Sequence, residues 1–241
     1  MNLLIVSATS YEVKPLLQYL EIPHPVLGMN VSSKSFINKE MDVHVLITGI
    51  GMVNTALMVG RYSIINVDLA INAGVCGSFH KNLALGEIVN ITDDILSEMG
   101  AENDVDFLTY DQLQLDGEHT FKSNNTIHSE AINTLKKAKG ITVNTVHGND
   151  VSIAKVTALY NPDVESMEGA AFFAACKNAG INHSQINYNN KPTSVSYPTT
   201  VNYIQLRAIS NYVEKRDKSK WNMPLAIANL NTFLVNYIES L

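Results

Sequence analysis

Glu168 stands in the stretch Val164-Glu165-Ser166-Met167-Glu168-Gly169-Ala170-Ala171, where an apolar strand end runs into small residues that start a helix. A carboxylate at such a turn, beside Met167, packs poorly but grips neighbouring hydroxyls well, such as the 2′ and 3′ positions of a ribose. Acids near helix starts also simply complement the helix dipole, so this residue alone leaves both readings open. Other segments plant chemistry at comparable turns. Glu12 follows the apolar run Leu3 to Ser7, Ala73-Gly74-Val75-Cys76-Gly77 follows Asp68 to Asn72, and Asn211 follows Tyr203 to Ile209. In sheets whose strands alternate with helices, ligands gather beyond the carboxyl ends of strands. Glu12, Gly74 to Gly77, Glu168 and Asn211 are therefore expected to share one site.

The positioning elements follow from periodicity. Leu3 to Ser7 reads as a buried strand, and Tyr11 to Leu20 as a helix with Ser10 as its N-cap. Asp42 to Thr48 is a second strand, after which Gly49-Ile50-Gly51 turns the chain into a helix carrying Val53, Leu57, Gly60 and Ile64 on one face. Asp68 to Asn72 and Glu87 to Thr92 are further strands, and Asp93 to Lys122 is polar, a loop with short elements. Ile127 to Lys139 is expected to be helical, Thr142 to Val146 a strand, Ile153 to Tyr160 and Glu168 to Lys177 helices, and Tyr203 to Ile209 a strand. Asn222 and Pro224 open the last helix, with Ile227, Leu230, Leu234, Ile238 and Leu241 facing inward.

This alternation predicts one α/β domain over residues 1–241, a three-layer α/β/α fold around a central mixed, twisted sheet. Residues 182–202, rich in Asn, Ser, Thr and Tyr with Pro192 and Pro198, interrupt the alternation and read as a polar insertion.

A chain of 241 residues, 46% hydrophobic and 17% charged, can bury one substantial core. Its net charge is −6, and its longest cationic cluster, Lys136-Lys137-Ala138-Lys139, reads as the solvated face of a helix. No nucleic acid partner is expected without a basic stripe. Two cysteines support neither a disulfide scaffold nor a zinc site, and the seven histidines show no ligand spacing, so no metal is expected. The run Leu3 to Val6 is too short for a signal peptide, and no stretch approaches a membrane span. The expected setting is cytoplasmic, with no membrane partner.

Taken together, Ser7-Ala8-Thr9-Ser10-Tyr11-Glu12-Val13, Gly49-Ile50-Gly51, Asn72 to Gly77 and Met167-Glu168 resemble the nucleoside phosphorylase/nucleosidase superfamily, in its hydrolytic branch. The resemblance covers nearly the whole chain outside residues 182–202. Within that branch the chain resembles the methylthioadenosine/adenosylhomocysteine nucleosidases and, more closely, the futalosine hydrolase family. The stretches that carry the latter are Met99 to Glu102, Thr145 to Asn149 and Arg207 to Glu214, continuing to Arg216-Asp217 and Trp221.

The resemblance implies cleavage of the N-glycosidic bond of futalosine to hypoxanthine and dehypoxanthine futalosine, a step of menaquinone biosynthesis, without a cofactor. It places Glu12 as the base that activates water, and Met167 and Glu168 at the ribose. It places Val75, Cys76 and Gly77 in the substrate-facing glycine turn, and Val151 and Ser152 near the purine. Asn211 falls where adenine-releasing relatives carry an aspartate, and Val75 where they carry a serine. An asparagine amide donates hydrogen bonds but delivers no proton; it suits O6 and N7 of a 6-oxopurine and can also pair with adenine.

Phosphorolysis ranks low. The acid Glu12 occupies the first turn, where phosphate would meet like charge, and Asn72 stands where a phosphate-binding arginine is expected. A methylthioadenosine nucleosidase and a non-catalytic nucleoside-binding protein stay open as alternatives. Relatives generally pair subunits, so a homodimer or a multiple of it is expected.

Overall fold

Leu3, Leu4, Ile5 and Val6 are all sealed from solvent, so the first strand must be covered on both faces. A computed structural model of the chain shows what covers it, describing residues 1–32, 34, 36, 41–62, 67–179 and 201–241. The strands are β1 (Asn2–Ser7), β2 (Gly28–Val31), β3 (Asp42–Ile47), β4 (Leu69–Ser78), β5 (Ile88–Leu96), β6 (Gly100–Asn103), β7 (Asp106–Thr109), β8 (Thr120–Lys122), β9 (Lys136–Thr142), β10 (Val164–Ser166) and β11 (Asn202–Tyr212). The α-helices are α1 (Lys14–Tyr19), α2 (Met52–Arg61), α3 (Glu130–Asn133), α4 (Asp150–Tyr160), α5 (Gly169–Ala179) and α6 (Met223–Ser240).

Among the described residues the central sheet runs β10-β9-β5-β11-β4-β1-β3-β2, with β8 added to β5 and β6 and β7 forming a separate hairpin. It is mixed: β1, β3, β4 and β11 pair in parallel, whereas β5 meets β11 and β2 meets β3 antiparallel. Leu3 and Ile5 share one core with Leu16 and Leu17 of α1 and Leu230, Leu234 and Ile238 of α6. Leu4 and Val6 share the other with Val59 of α2 and Phe172 and Phe173 of α5. The architecture is the three-layer α/β/α sandwich. Among the described residues no helix is long and apolar enough to cross a membrane.

Several expectations need correction. Helix α1 starts at Lys14 with Val13 at its N-cap; Thr9, not Ser10, engages this turn, its Oγ1 accepting the Glu12 N–H at 3.4 Å. Helix α2 turns Thr55 and Val59 inward and leaves Val53 and Leu57 73% and 63% exposed, while Ile64 lies outside the described residues. Residues 73–77 do not form a turn: β4 runs through them, paired with β11 in one register to Cys76 and past a one-residue irregularity at Gly77.

The Lys136 to Lys139 cluster lies on strand β9 rather than on a helix, which is confined to Glu130–Asn133. The alternation Lys137-Ala138-Lys139-Gly140 has period two and turns Ala138 and Gly140 inward, so pairing with β5 outweighs helical propensity. Asp93 to Leu96 continue β5 instead of starting a loop. The strand expected at Thr142 to Val146 ends at Thr142. Of the insertion read at 182–202, residues 182–200 lie outside the described residues, and Asn202 already opens β11.

Candidate active site

Strand β1 pairs with β4 only from Leu69 to Asn72, and β10 joins β4 only at Gly77 and Ser78. Among the described residues the stretch of β4 edge between them has no strand partner, so its backbone donors are free for a side chain. Glu12 takes one: its Oε1 accepts the Val75 N–H at 3.1 Å. Oε2 accepts the N–H and hydroxyl of Thr9 at 3.1 and 2.9 Å, folding the side chain back over its own turn. The residue is buried.

Glu168 arrives from the opposite side, between β10 and α5. Its Oε1 accepts the N–H of Gly51 at 3.2 Å. Gly51 caps α2 with a φ of +95°, a conformation open to glycine and strained for other residues.

Arg207, on β11 and 1% exposed, joins the two acids. Its Nη1 lies 3.5 Å from Glu168 Oε2. A Cβ on Gly74 would stand 2.4 Å from that Nη1 and 2.9 Å from Glu12 Oε1, so the guanidinium and the Glu12 carboxylate converge over the bare Cα of Gly74. A buried charge needs partners on every side, and Arg207 has them. Nε donates to Gln205 Oε1 at 2.9 Å and Nη2 to Asn72 Oδ1.

The chain of bonds runs on. Gln205 Nε2 donates to Asp94 Oδ2 at 2.8 Å, the Thr142 hydroxyl donates to Asp94 Oδ1 at 2.7 Å, and the Ala170 N–H closes on Thr142 Oγ1 at 2.8 Å. Asn72, which stands where a phosphate-binding arginine would be expected, is occupied: it accepts from Arg207 and donates to the Val6 carbonyl at 3.1 Å.

These surroundings set the charges. Burial, reinforced by the Glu168 carboxylate, pushes the Glu12 pKa up; Arg207, the Val75 N–H and Thr9 pull it back down. Burial pushes Asp94 up to about 6, against the bonds from Gln205 and Thr142 and the charge of Arg207. A raised but ionisable carboxylate is a stronger base than a free one, which suits proton abstraction from water.

Asn211 lies further along β11, past an irregularity in its register with β4 between Ile209 and Asn211. Its Oδ1 accepts from the Ser210 hydroxyl at 2.8 Å, and its Nδ2 donates to the Tyr212 carbonyl at 3.0 Å, leaving one N–H uncommitted among the described residues. Ser210 thus provides the hydroxyl support that Val75 cannot. Asn211 lines a cavity of about 90 Å³ with Gly77, Val146, His147, Glu165 and Trp221.

The structure brings Glu12, Val75, Glu168 and the Gly74 backbone together, and Gly77 with Asn211. Met167 is half-buried beside Glu168. Cys76 turns its thiol into the α2–α5 core, where burial pushes it up to about 12, and only its carbonyl reaches toward Ser210. Val151 and Ser152 sit on the first turn of α4, capped by the Asn149 side chain at 2.9 and 3.3 Å, and Val151 is 64% exposed. The residues of that region that line the cavity are Val146, His147 and Gly148. Sequence reasoning missed Ser210, His147, Glu165, Gln205 and Asp94. The available signals were an acid inside a strand-like alternation for Asp94, and His147-Gly148-Asn149 just before a helix.

The chain is 27% identical over 190 residues to a futalosine hydrolase of Thermus thermophilus, covering 76% of this chain and 75% of that protein. Its fold is similar to the native structure of futalosine hydrolase of Helicobacter pylori, with a TM-score of 0.73, 17% identity, and 100% and 98% of the two chains covered. It is equally similar to 5′-methylthioadenosine/S-adenosylhomocysteine nucleosidase of Helicobacter pylori in complex with butyl-thio-DADMe-Immucillin-A, with a TM-score of 0.74, 17% identity, and 100% and 99% covered. Residues 2–239 match the Phosphorylase superfamily, and the chain is a member of that superfamily.

Proposed function

We propose that the chain hydrolyses the N-glycosidic bond of futalosine, releasing hypoxanthine and dehypoxanthine futalosine for menaquinone biosynthesis. The observation that carries this reading is the buried Glu12–Arg207–Glu168 cluster, with an uncharged Asn211 beyond it. Cleavage of an N-glycosidic bond passes through a ribosyl cation like the oxocarbenium state of glycosidases. Glu12, on the free edge of β4, takes the proton of the attacking water. Glu168 accepts hydrogen bonds from the ribose hydroxyls, and these strengthen as positive charge grows on the sugar. Arg207 stands by both acids, and its charge favours the ionised form of Glu12. Asn211 offers its remaining N–H to O6 or N7 of the departing 6-oxopurine.

The sugar and base need nothing beyond these side chains, and no cofactor enters the reaction. An acid rather than a cation beside the glycine strand, and Asn72 already bonded on both sides, speak against phosphate as the nucleophile. The likeness to the Thermus thermophilus futalosine hydrolase supports the choice of base. The exposed apolar side chains Ile50, Val53 and Leu57 at the start of α2 support a homodimer. A cytoplasmic setting follows from the same pathway assignment.

The test is chromatography of released base from futalosine, methylthioadenosine and inosine. Hypoxanthine from futalosine alone is expected. Adenine from methylthioadenosine would move the assignment to that nucleosidase, and no base from any of the three would refute the enzymatic reading.

A further inference from the structure

A second buried acid–base pair faces the cavity that holds Asn211. The Glu165 side chain, 3% exposed on β10, takes two bonds from one residue: its Oε1 accepts the backbone N–H of His147 at 3.0 Å, and its Oε2 lies 2.6 Å from His147 Nδ1. The His147 side chain is 15% exposed, and among the described residues its Nε2 has no hydrogen-bond partner. Gly77 separates this pair from Asn211. A Cβ there would stand 3.2 Å from Asn211 Nδ2 and 3.6 Å from Glu165 Cγ.

A carboxylate only accepts hydrogen bonds, so Glu165 holds a ring proton on Nδ1, and in the neutral imidazole Nε2 carries the lone pair. We propose that His147, its tautomer fixed by Glu165, is the residue that selects the base, its Nε2 accepting the N1–H of a 6-oxopurine. Asn211 takes the O6/N7 edge of the same ring. Adenine carries a lone pair at N1 and meets the lone pair of Nε2, an unsatisfied contact that disfavours it. A buried carboxylate committed to orienting one half-buried imidazole has little value for packing, where an apolar pair would serve without desolvation. The identity of the ligand as a nucleoside base rests on the function proposed above.

Glu165→Gln makes the sharpest test. The glutamine oxygen must still accept the His147 backbone N–H, so its NH₂ faces Nδ1 and donates to it. The ring proton then moves to Nε2, which becomes a donor suited to adenine N1. The measurement is calorimetric titration of hypoxanthine and adenine into the intact wild-type protein, Glu165→Gln and His147→Leu, with futalosine turnover recorded separately.

Wild type is expected to favour hypoxanthine by about 10- to 100-fold, the range of one unsatisfied polar contact. Glu165→Gln is expected to reverse the preference, and His147→Leu to reduce it to within a few-fold. Failure of His147→Leu to fold leaves the near-isosteric Glu165→Gln as the deciding variant. The same base preference in wild type and Glu165→Gln, a wild-type preference for adenine, or no binding of either base would overturn the proposal. Loss of the proposed futalosine hydrolysis with this base preference intact would refute the function alone.

Discussion

The two ends of the site are built differently. At the proposed sugar end Glu12 and Glu168 lie buried in strand-to-helix turns and Arg207 within β11, and each of the three is tied to backbone or to further buried side chains. At the base end Val146, His147 and Trp221 come from connecting segments, and Asn211 has one donor uncommitted. The sugar end needs donors and acids held within fractions of an ångström around a developing charge. Strand edges and bare glycines hold them so. In the proposed reaction the base end distinguishes ligands that differ by a few donors and acceptors, and loop residues can change there without disturbing the sheet.

The largest expected effect breaks the sugar end directly. Glu12→Gln should lower kcat/KM for futalosine about 10²- to 10⁴-fold, the contribution of a positioned general base. Because burial and Glu168 raise the Glu12 pKa, the acid limb of the wild-type pH–rate profile should fall at a pH above the ordinary 4.5. A limb at or below 4.5, or near-normal turnover of the variant, would remove Glu12 from the mechanism.

Gly74→Ala comes next. The new Cβ would have to displace Arg207 Nη1 from 2.4 Å and Glu12 Oε1 from 2.9 Å. Misplacing catalytic groups by about an ångström costs on the order of 10²-fold. Steady-state kinetics should show this loss mainly in kcat, and an unchanged kcat would show that the two groups do not act together.

Asp94→Asn probes the scaffold behind Arg207. The folded pKa of Asp94 is about 6 against an ordinary 3.8. Between those values the folded state holds a proton that the unfolded state releases, so this group's contribution to stability falls as pH rises through that window. The shift corresponds to about 3 kcal/mol. Urea unfolding at several pH values should show wild type losing about 2 kcal/mol of that relative to Asp94→Asn between pH 4 and 6. Parallel curves for the two proteins would refute the raised pKa.

The smallest effect sharpens the boundary of the base end. Val151→Ala and Ser152→Ala lie outside the cavity lining, so each should change kcat/KM by less than about twofold and stability by no more than about 0.5 kcal/mol. A tenfold loss in either would put the first turn of α4 back at the purine.

The sugar end was legible in the sequence because its residues sit where patterns change. Glu12, the glycine stretch and Glu168 each mark the end of an apolar run, and those runs became β1, β4 and β10. The supporting chain was not legible. Asp94 and Gln205 lie inside strands read as shorter than they are, and they meet across β5 and β11, residues 111 apart in sequence. A tertiary pairing of that kind leaves no local signature. The same holds for Lys136 to Lys139, where four residues of mixed propensity go to whichever element has an open sheet edge. At the base end, His147 and Glu165 stood in quoted motifs, but their partnership depends on how β10 sits against the segment after β9. Val151 and Ser152 were placed near the purine by the resemblance, and Asn149 ends the loop by capping α4 before the chain reaches them.

The most direct measurement is turnover of futalosine in water enriched in ¹⁸O, with and without phosphate, followed by mass analysis of the sugar product. Hydrolysis led by Glu12 predicts one ¹⁸O at the anomeric carbon of dehypoxanthine futalosine, at a rate that phosphate leaves unchanged. An unlabelled sugar 1-phosphate, formed only when phosphate is present, would contradict it.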